Sequence, residues 1–67
     1  MQVNINGKPH NFKKELNIQD ILKELQIPQE QGIAVALNNT VIAKKELVNT
    51  LVKEGDHLEI IHATAGG

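Results

Sequence analysis

Apolar residues alternate with polar ones in several short stretches of the chain, and this period is typical of half-buried strands. The first stretch, MQVNI, alternates from Met1 to Ile5. Asn6-Gly7 follows, a pair that favours a type I′ hairpin turn because both central positions take positive φ. The returning stretch, KPHNF, contains Pro9, which cannot donate to a ladder. We therefore expect a hairpin whose second strand lies at a sheet edge.

A helical period replaces the alternation in the next segment. Asn17 is a suitable N-cap, and Asp20 suits the positive end of the helix dipole. Pro28 ends the helix shortly after its last apolar residue. The apolar positions recur at i, i+3, i+4 and i+7 and are Ile18, Ile21, Leu22 and Leu25. We expect one helix that packs this face against a sheet.

The second half of the chain predicts three further strands and one ambiguous segment. The alternation in IAVAL places Ala34 and Ala36 on the face opposite Ile33, Val35 and Leu37. An Asn pair then makes a turn before TVIA, and KEGD makes a turn before the last strand, HLEIIH. Between these strands, KKELVNTLV (residues 44–52) fits a short helix or an irregular crossing equally well, and both remain open.

The predicted order is β-β-α-β-β-β, and about half of the strands show a single apolar face. This pattern predicts an α+β domain in which one helix covers one side of a sheet of about five short strands. We expect the folded domain to span residues 1–62. Residues 63–67, ATAGG, have no apolar anchor and are expected to form a flexible tail.

Length and composition narrow the functional classes. The 67 residues suffice for one domain with a small core of Leu, Ile and Val, since Phe12 is the single aromatic residue. The absence of Cys excludes disulfides, thiolate nucleophiles and thiolate metal sites on this chain. The net charge is −1 and Arg is missing, which disfavours nucleic-acid binding. No stretch resembles a signal peptide or approaches the roughly 20 apolar residues of a membrane span. We expect a cytoplasmic protein without a membrane partner.

The three histidines are the remaining candidates for metal binding or general-base chemistry. His57 and His62 are five residues apart on one predicted strand and so point to opposite faces. His10 lies on another strand, and no carboxylate cluster accompanies any of the three at ligand spacing. Metal sites need converging ligands. We therefore expect solvated surface histidines and no metal site.

The closing glycines are the most informative feature of the sequence. Gly66 and Gly67 lack Cβ, so their backbone can adopt any φ and pass through a narrow channel. Ala63, Thr64 and Ala65 are also small. Five extended residues span roughly 16 Å, which is enough to reach a buried active site while the folded domain stays outside. The carboxylate of Gly67 is therefore the candidate working group.

Three stretches carry a resemblance to a known family. VNINGKPHNF is similar to the opening hairpin of the ThiS sulfur carriers of thiamine biosynthesis, VALNNTVI to their third and fourth strands, and EGDHLEIIHATAGG to their last strand and tail. The order and spacing of these stretches, with the terminal Gly-Gly, make the resemblance specific over the whole chain. Ala43-Lys44 departs from the Pro-Arg that this family often carries: it keeps a cation but loses the rigid turn residue and the guanidinium fork.

The resemblance implies a fold and a chemistry. The fold is the ubiquitin-like β-grasp, with a mixed sheet and one packed helix. A ThiF-like adenylating enzyme activates the Gly67 carboxylate with ATP, and a sulfur-donor protein converts it to a thiocarboxylate. That group then gives its sulfur to a ThiG-like thiazole synthase. The chain is thus expected to be a protein substrate rather than an enzyme. ATP is expected to bind the partner, since no P-loop motif is present here.

A docking surface follows from the strand alternation. Ile61 lies on the face opposite Leu58 and Ile60, and Ala34 and Ala36 share that face. We expect these three residues, with the tail residues 63–65, to contact the partner enzyme.

Two other functional classes remain open at the level of the sequence. One is a MoaD-like carrier, the small subunit of molybdopterin synthase, although such relatives tend to be longer and richer in aromatic residues. The other is a ubiquitin-like modifier that joins lysines through the same Gly67 carboxylate, or a β-grasp binding module whose Gly-Gly is incidental.

Overall fold

A computed structural model of the chain describes residues 1–28 and 32–62. The structure begins with a hairpin, continues through one α-helix and a second hairpin, and ends on a six-residue strand. In chain order the elements are β1 (Gln2–Ile5), β2 (Lys8–Asn11), β3 (Leu16–Asn17), α1 (Ile18–Glu24), β4 (Ile33–Leu37), β5 (Thr40–Ile42), a 3₁₀ turn (Lys44–Glu46), β6 (Leu51–Val52) and β7 (His57–His62).

The main sheet has five strands in the order β2-β1-β7-β4-β5. β7 runs parallel to β1 and antiparallel to β4, so the sheet is mixed. β2 lies at one edge, where Pro9 pairs with Asn4 of β1. This confirms the edge position that Pro9 predicted, because an edge strand can leave the donor-free side of proline unpaired.

Both hairpin turns are left-handed at their two central residues. Asn6 and Gly7 have φ values of 51° and 84°, and Asn38 and Asn39 have values of 50° and 72°. Positive φ at both positions is the signature of the type I′ turn, whose twist matches that of the flanking strands. The two predicted turns are thereby confirmed.

Helix α1 begins at the predicted cap. The backbone N–H of Asp20 donates to Oδ1 of Asn17 at 2.7 Å, which satisfies one of the free amides of the first turn. The predicted apolar face points into the core, where Ile18, Ile21 and Leu22 have no exposed surface.

The helix ends in a Schellman motif that lacks the usual glycine. The N–H of Ile27 donates to the carbonyl of Leu22 at 2.9 Å, and the N–H of Gln26 donates to that of Lys23 at 3.0 Å. Gln26 has a φ of 58°, a left-handed conformation in which a Cβ is strained. Pro28 follows and prevents the helix from continuing.

The core is aliphatic throughout and lies between α1 and one face of the main sheet. Strands β1 and β7 each contribute two alternate residues to it, β4 contributes Val35, and the segment after β5 adds two more. The buried hydrophobic side chains are Val3, Ile5, Ile18, Ile21, Leu22, Val35, Leu47, Val52, Leu58 and Ile60.

The ambiguous segment of residues 44–52 contains the 3₁₀ turn and then β6, which pairs with β3 in a separate two-stranded sheet. This small sheet was not predicted. Leu47 and Val52 are buried, whereas Val48 and Leu51 are 50% and 53% exposed. This burial pattern explains the ambiguity. A regular helix or a long strand would place Leu47 on the same face as Leu51, and Val48 on the same face as Val52.

We predict that Gln26→Gly stabilises the protein. Glycine adopts the left-handed conformation at no steric cost, so the free energy of unfolding should rise by about 0.5–1 kcal/mol in urea denaturation. Lys23→Gly, an exposed position within α1, is the control and should instead cost about 0.5–1 kcal/mol. A loss of stability in Gln26→Gly would contradict this account of the helix end.

Candidate functional site

The last described strand leads to the predicted site from the centre of the sheet. β7 lies between β1 and β4 and ends at His62. The tail residues Ala63, Thr64, Ala65, Gly66 and Gly67 lie outside the described residues, as does the boundary predicted after residue 62. The segment that carries the candidate carboxylate therefore follows directly on the strand that pairs with both hairpins.

The predicted docking residues share the sheet face that α1 leaves uncovered. Ala34 of β4 pairs with Ile61 of β7, which is 56% exposed. Ala36, also on β4, is the next residue on this face and pairs with Glu59. Because side chains of small volume flank Ile61 on β4, its side chain stands above its neighbours. The alternation of apolar residues predicted this grouping correctly.

One exposed apolar residue of this face was missed. Val41 of β5 pairs with Ala36 and is 75% exposed. The sequence carried the signal for it, because neighbouring residues of a strand point to opposite faces. Ile42 of β5 packs against the core, so Val41 lies on the open face. We define the open-face patch as Ala34, Ala36, Val41 and Ile61. It occupies the half of the sheet formed by β4, β5 and β7.

The end of this face farthest from His62 is polar. A depression there is lined by Asn4, His57 and Glu59, between the two hairpin turns. His57 and Glu59 are both exposed. The open face thus combines an apolar part near His62 with a polar part near the turns.

The histidines do not assemble a site within the part of the chain that the structure describes. No group of three His, Asp or Glu side chains converges there at a spacing that could hold a metal ion. His57 lies on the open face beside Asn4, and His62 pairs with Ile33 at the other end of β7.

Nor does any helix among residues 1–28 and 32–62 have the length and apolarity to cross a bilayer.

A mixed five-stranded sheet that packs one helix on one face, with its last strand at the centre, defines the ubiquitin-like β-grasp fold. The predicted fold class is therefore confirmed.

Comparison with known proteins gives the family. The ThiS family model matches residues 3–67, and the chain belongs to the ThiS family. The crystal structure of the thiamine biosynthesis protein ThiS from Geobacter metallireducens is 32% identical, with a TM-score of 0.86 over 100% of both chains. These matches support assigning the chain to the sulfur carriers of thiamine biosynthesis rather than to the molybdopterin carriers or the protein modifiers.

Two relatives extend the comparison. The protein ycf40 of Porphyra purpurea, which is uncharacterized, is 31% identical over all 67 residues and over 93% of its own length. The thiazole synthase of Paramagnetospirillum magneticum is also 31% identical over the whole chain, which spans only 20% of that protein.

Proposed function

We propose that this chain carries sulfur as a thiocarboxylate on Gly67 and delivers it for thiazole formation. The observation that carries the proposal is the family match, which extends to residue 67 and so includes the Gly-Gly pair. The position of β7 supports it, because a strand paired on both sides leads directly into the segment that must enter a partner.

The carboxylate needs activation because its negative charge repels nucleophiles and oxide is a poor leaving group. In the proposed sequence, a carboxylate oxygen of Gly67 attacks the α-phosphorus of ATP, and pyrophosphate leaves. A sulfide-level sulfur nucleophile, supplied by a sulfur-donor protein, then attacks the acyl carbon and AMP leaves. The product is the thiocarboxylate. The chain supplies only the carboxylate, while a ThiF-like adenylating enzyme binds ATP, and we place these steps in the cytoplasm.

The acceptor of the sulfur is proposed to be a ThiG-like thiazole synthase. One thiazole synthase contains a segment that matches the whole of this chain over one fifth of its length. A ThiS-like segment and a thiazole synthase therefore occur together in one polypeptide, and this supports their acting together when they are separate chains.

The open-face patch is proposed as the surface on which the adenylating enzyme docks. Its two larger members, Val41 and Ile61, expose most of their side chains on a face that α1 leaves uncovered. Burying apolar surface is the main source of association free energy, and a contiguous exposed patch is typical of an interaction site. The patch adjoins the end of β7, so docking there would hold the tail at the entrance to the partner's active site.

We predict that removal of Gly67 abolishes adenylation without affecting the fold. The truncated chain still ends in a carboxylate, but that group lies about 3.5 Å short of the α-phosphate, the length of one extended residue. Such a displacement of a reacting group removes catalysis. The measurement is ATP–pyrophosphate exchange with the adenylating enzyme.

Thermal unfolding is the control for this truncation, and its midpoint should move by less than about 2 °C because a chain end contributes few contacts. Exchange at the wild-type rate by the truncated chain would exclude the proposed chemistry at Gly67.

We also predict that Ile61→Asp weakens binding to the adenylating enzyme by about tenfold or more, since a charge in an apolar contact loses its hydration. The protein should stay within about 0.5 kcal/mol of wild-type stability, because the side chain is exposed. Val48→Asp is a matched control, since Val48 is 50% exposed against 56% for Ile61 but lies outside the main sheet. Titration calorimetry that shows equal affinities for the two variants would refute docking at the patch.

A further inference from the structure

Because β1 ends early, Ile60 of β7 has no strand partner on the β1 side. β1 pairs with β7 at Asn4–His57 and Ile5–Leu58, and then ends, while β7 continues to His62. The next parallel bond is still made, since the N–H of Asn6 donates to the carbonyl of Leu58 at 3.0 Å. In a regular parallel ladder the N–H two residues further along β7 would then donate to the main-chain carbonyl of Asn6.

The side chain of Asn6 takes the place of that carbonyl. The N–H of Ile60 donates to Oδ1 of Asn6 at 2.8 Å, and Nδ2 of Asn6 donates to the carbonyl of Ile60 at 3.3 Å. One carboxamide thus satisfies both backbone groups of Ile60, a task that in a neighbouring strand falls to two separate peptide groups. Ile60 is only 5% exposed, and unpaired backbone groups at a buried position are costly.

In the other hairpin, the side chain of Asn38 replaces a main-chain carbonyl in the same way. Its N–H donates to the carbonyl of His57 at 2.8 Å, which continues the antiparallel pairing of β4 with β7 by one residue. The N–H of His57 donates in return to Oδ1 of Asn38 at 2.9 Å rather than to its main-chain carbonyl. Each hairpin therefore places an Asn at the first central position of its turn, and each Asn side chain bonds the backbone of β7.

Turn geometry alone does not account for these residues. Glycine would adopt the φ values of 51° and 50° at Asn6 and Asn38 without steric cost. Asn39 occupies the second central position of the turn between β4 and β5. It has a φ of 72° but makes no side-chain hydrogen bond to the described part of the chain. Asn39 thus shows what an Asn contributes when it serves the turn only.

We propose that Asn6 is a positioning residue for the terminal segment. Its carboxamide fixes β7 at Ile60, which immediately precedes Ile61 of the open-face patch and lies seven residues before Gly67. The inference rests on the proposed function, in which the patch docks while the tail reaches into the partner. A strand that is loose at Ile60 must be ordered on docking, and this ordering weakens binding.

The test compares Asn6→Gly with the matched control Asn39→Gly. Both variants keep a residue that tolerates positive φ, so both should retain the turn. Amide hydrogen exchange is measured for Ile60 relative to Leu22, a fully buried helix residue that reports general loss of stability. In Asn6→Gly the ratio of the two exchange rates should rise at least about tenfold, as expected for the loss of hydrogen bonds to a buried amide. In Asn39→Gly it should stay within about twofold of wild type on the same basis.

The second measurement is pyrophosphate exchange with the adenylating enzyme. Asn6→Gly should raise KM several-fold and leave kcat unchanged, because the reacting carboxylate is the same and only docking is affected. An unchanged exchange ratio at Ile60, or an unchanged KM, overturns the proposal. If wild-type protein supports no pyrophosphate exchange at all, the proposed function fails instead, and the amide measurement separates the two results.

Discussion

The insertion of β7 between β1 and β4 is the constraint on which the rest of the structure depends. β7 joins the hairpin β1–β2 to the hairpin β4–β5 in one sheet, and it carries Leu58 and Ile60, which are 1% and 5% exposed, into the core under α1. Removing it would leave two separate hairpins, and an isolated hairpin is at best marginally stable in water. The strand that completes the core is also the one that leads to the tail. Stability and the proposed function therefore depend on the same element.

Much of the fold could be predicted because its signals are local. The alternation of MQVNI and IAVAL, the helical period after Asn17 and the paired turn residues each depend on neighbours in sequence, and the structure confirms all of them. The pairing of β3 with β6 could not be predicted in this way. Each of these strands has two residues, too few to show a period, and their pairing depends on the distant contact of Leu16 with Val52. The Schellman end at Gln26 was missed because the usual signal is a glycine.

The candidate site shows the same division. The period of two decides which face a strand residue occupies, so the grouping of Ala34, Ala36 and Ile61 followed from the sequence, and Val41 could have been added. The register that sets Ala34 opposite Ile61 depends on how the two hairpins meet β7, which no local pattern encodes. The role of Asn6 was hidden for another reason. Its place in an Asn-Gly pair is fully explained by the turn, and only the bonds to Ile60 show that the side chain has a second task.

The central claim is that the working group of this protein is the carboxylate of Gly67, and intact mass spectrometry of the protein isolated from its native cells tests it most directly. The account predicts a chain that ends at Gly67 and a fraction of molecules in which one oxygen atom is replaced by sulfur. The fraction should disappear after hydrolysis of the thiocarboxylate. A mature chain that continues beyond residue 67, or one found only in isopeptide linkage to lysines of other proteins, would contradict the account.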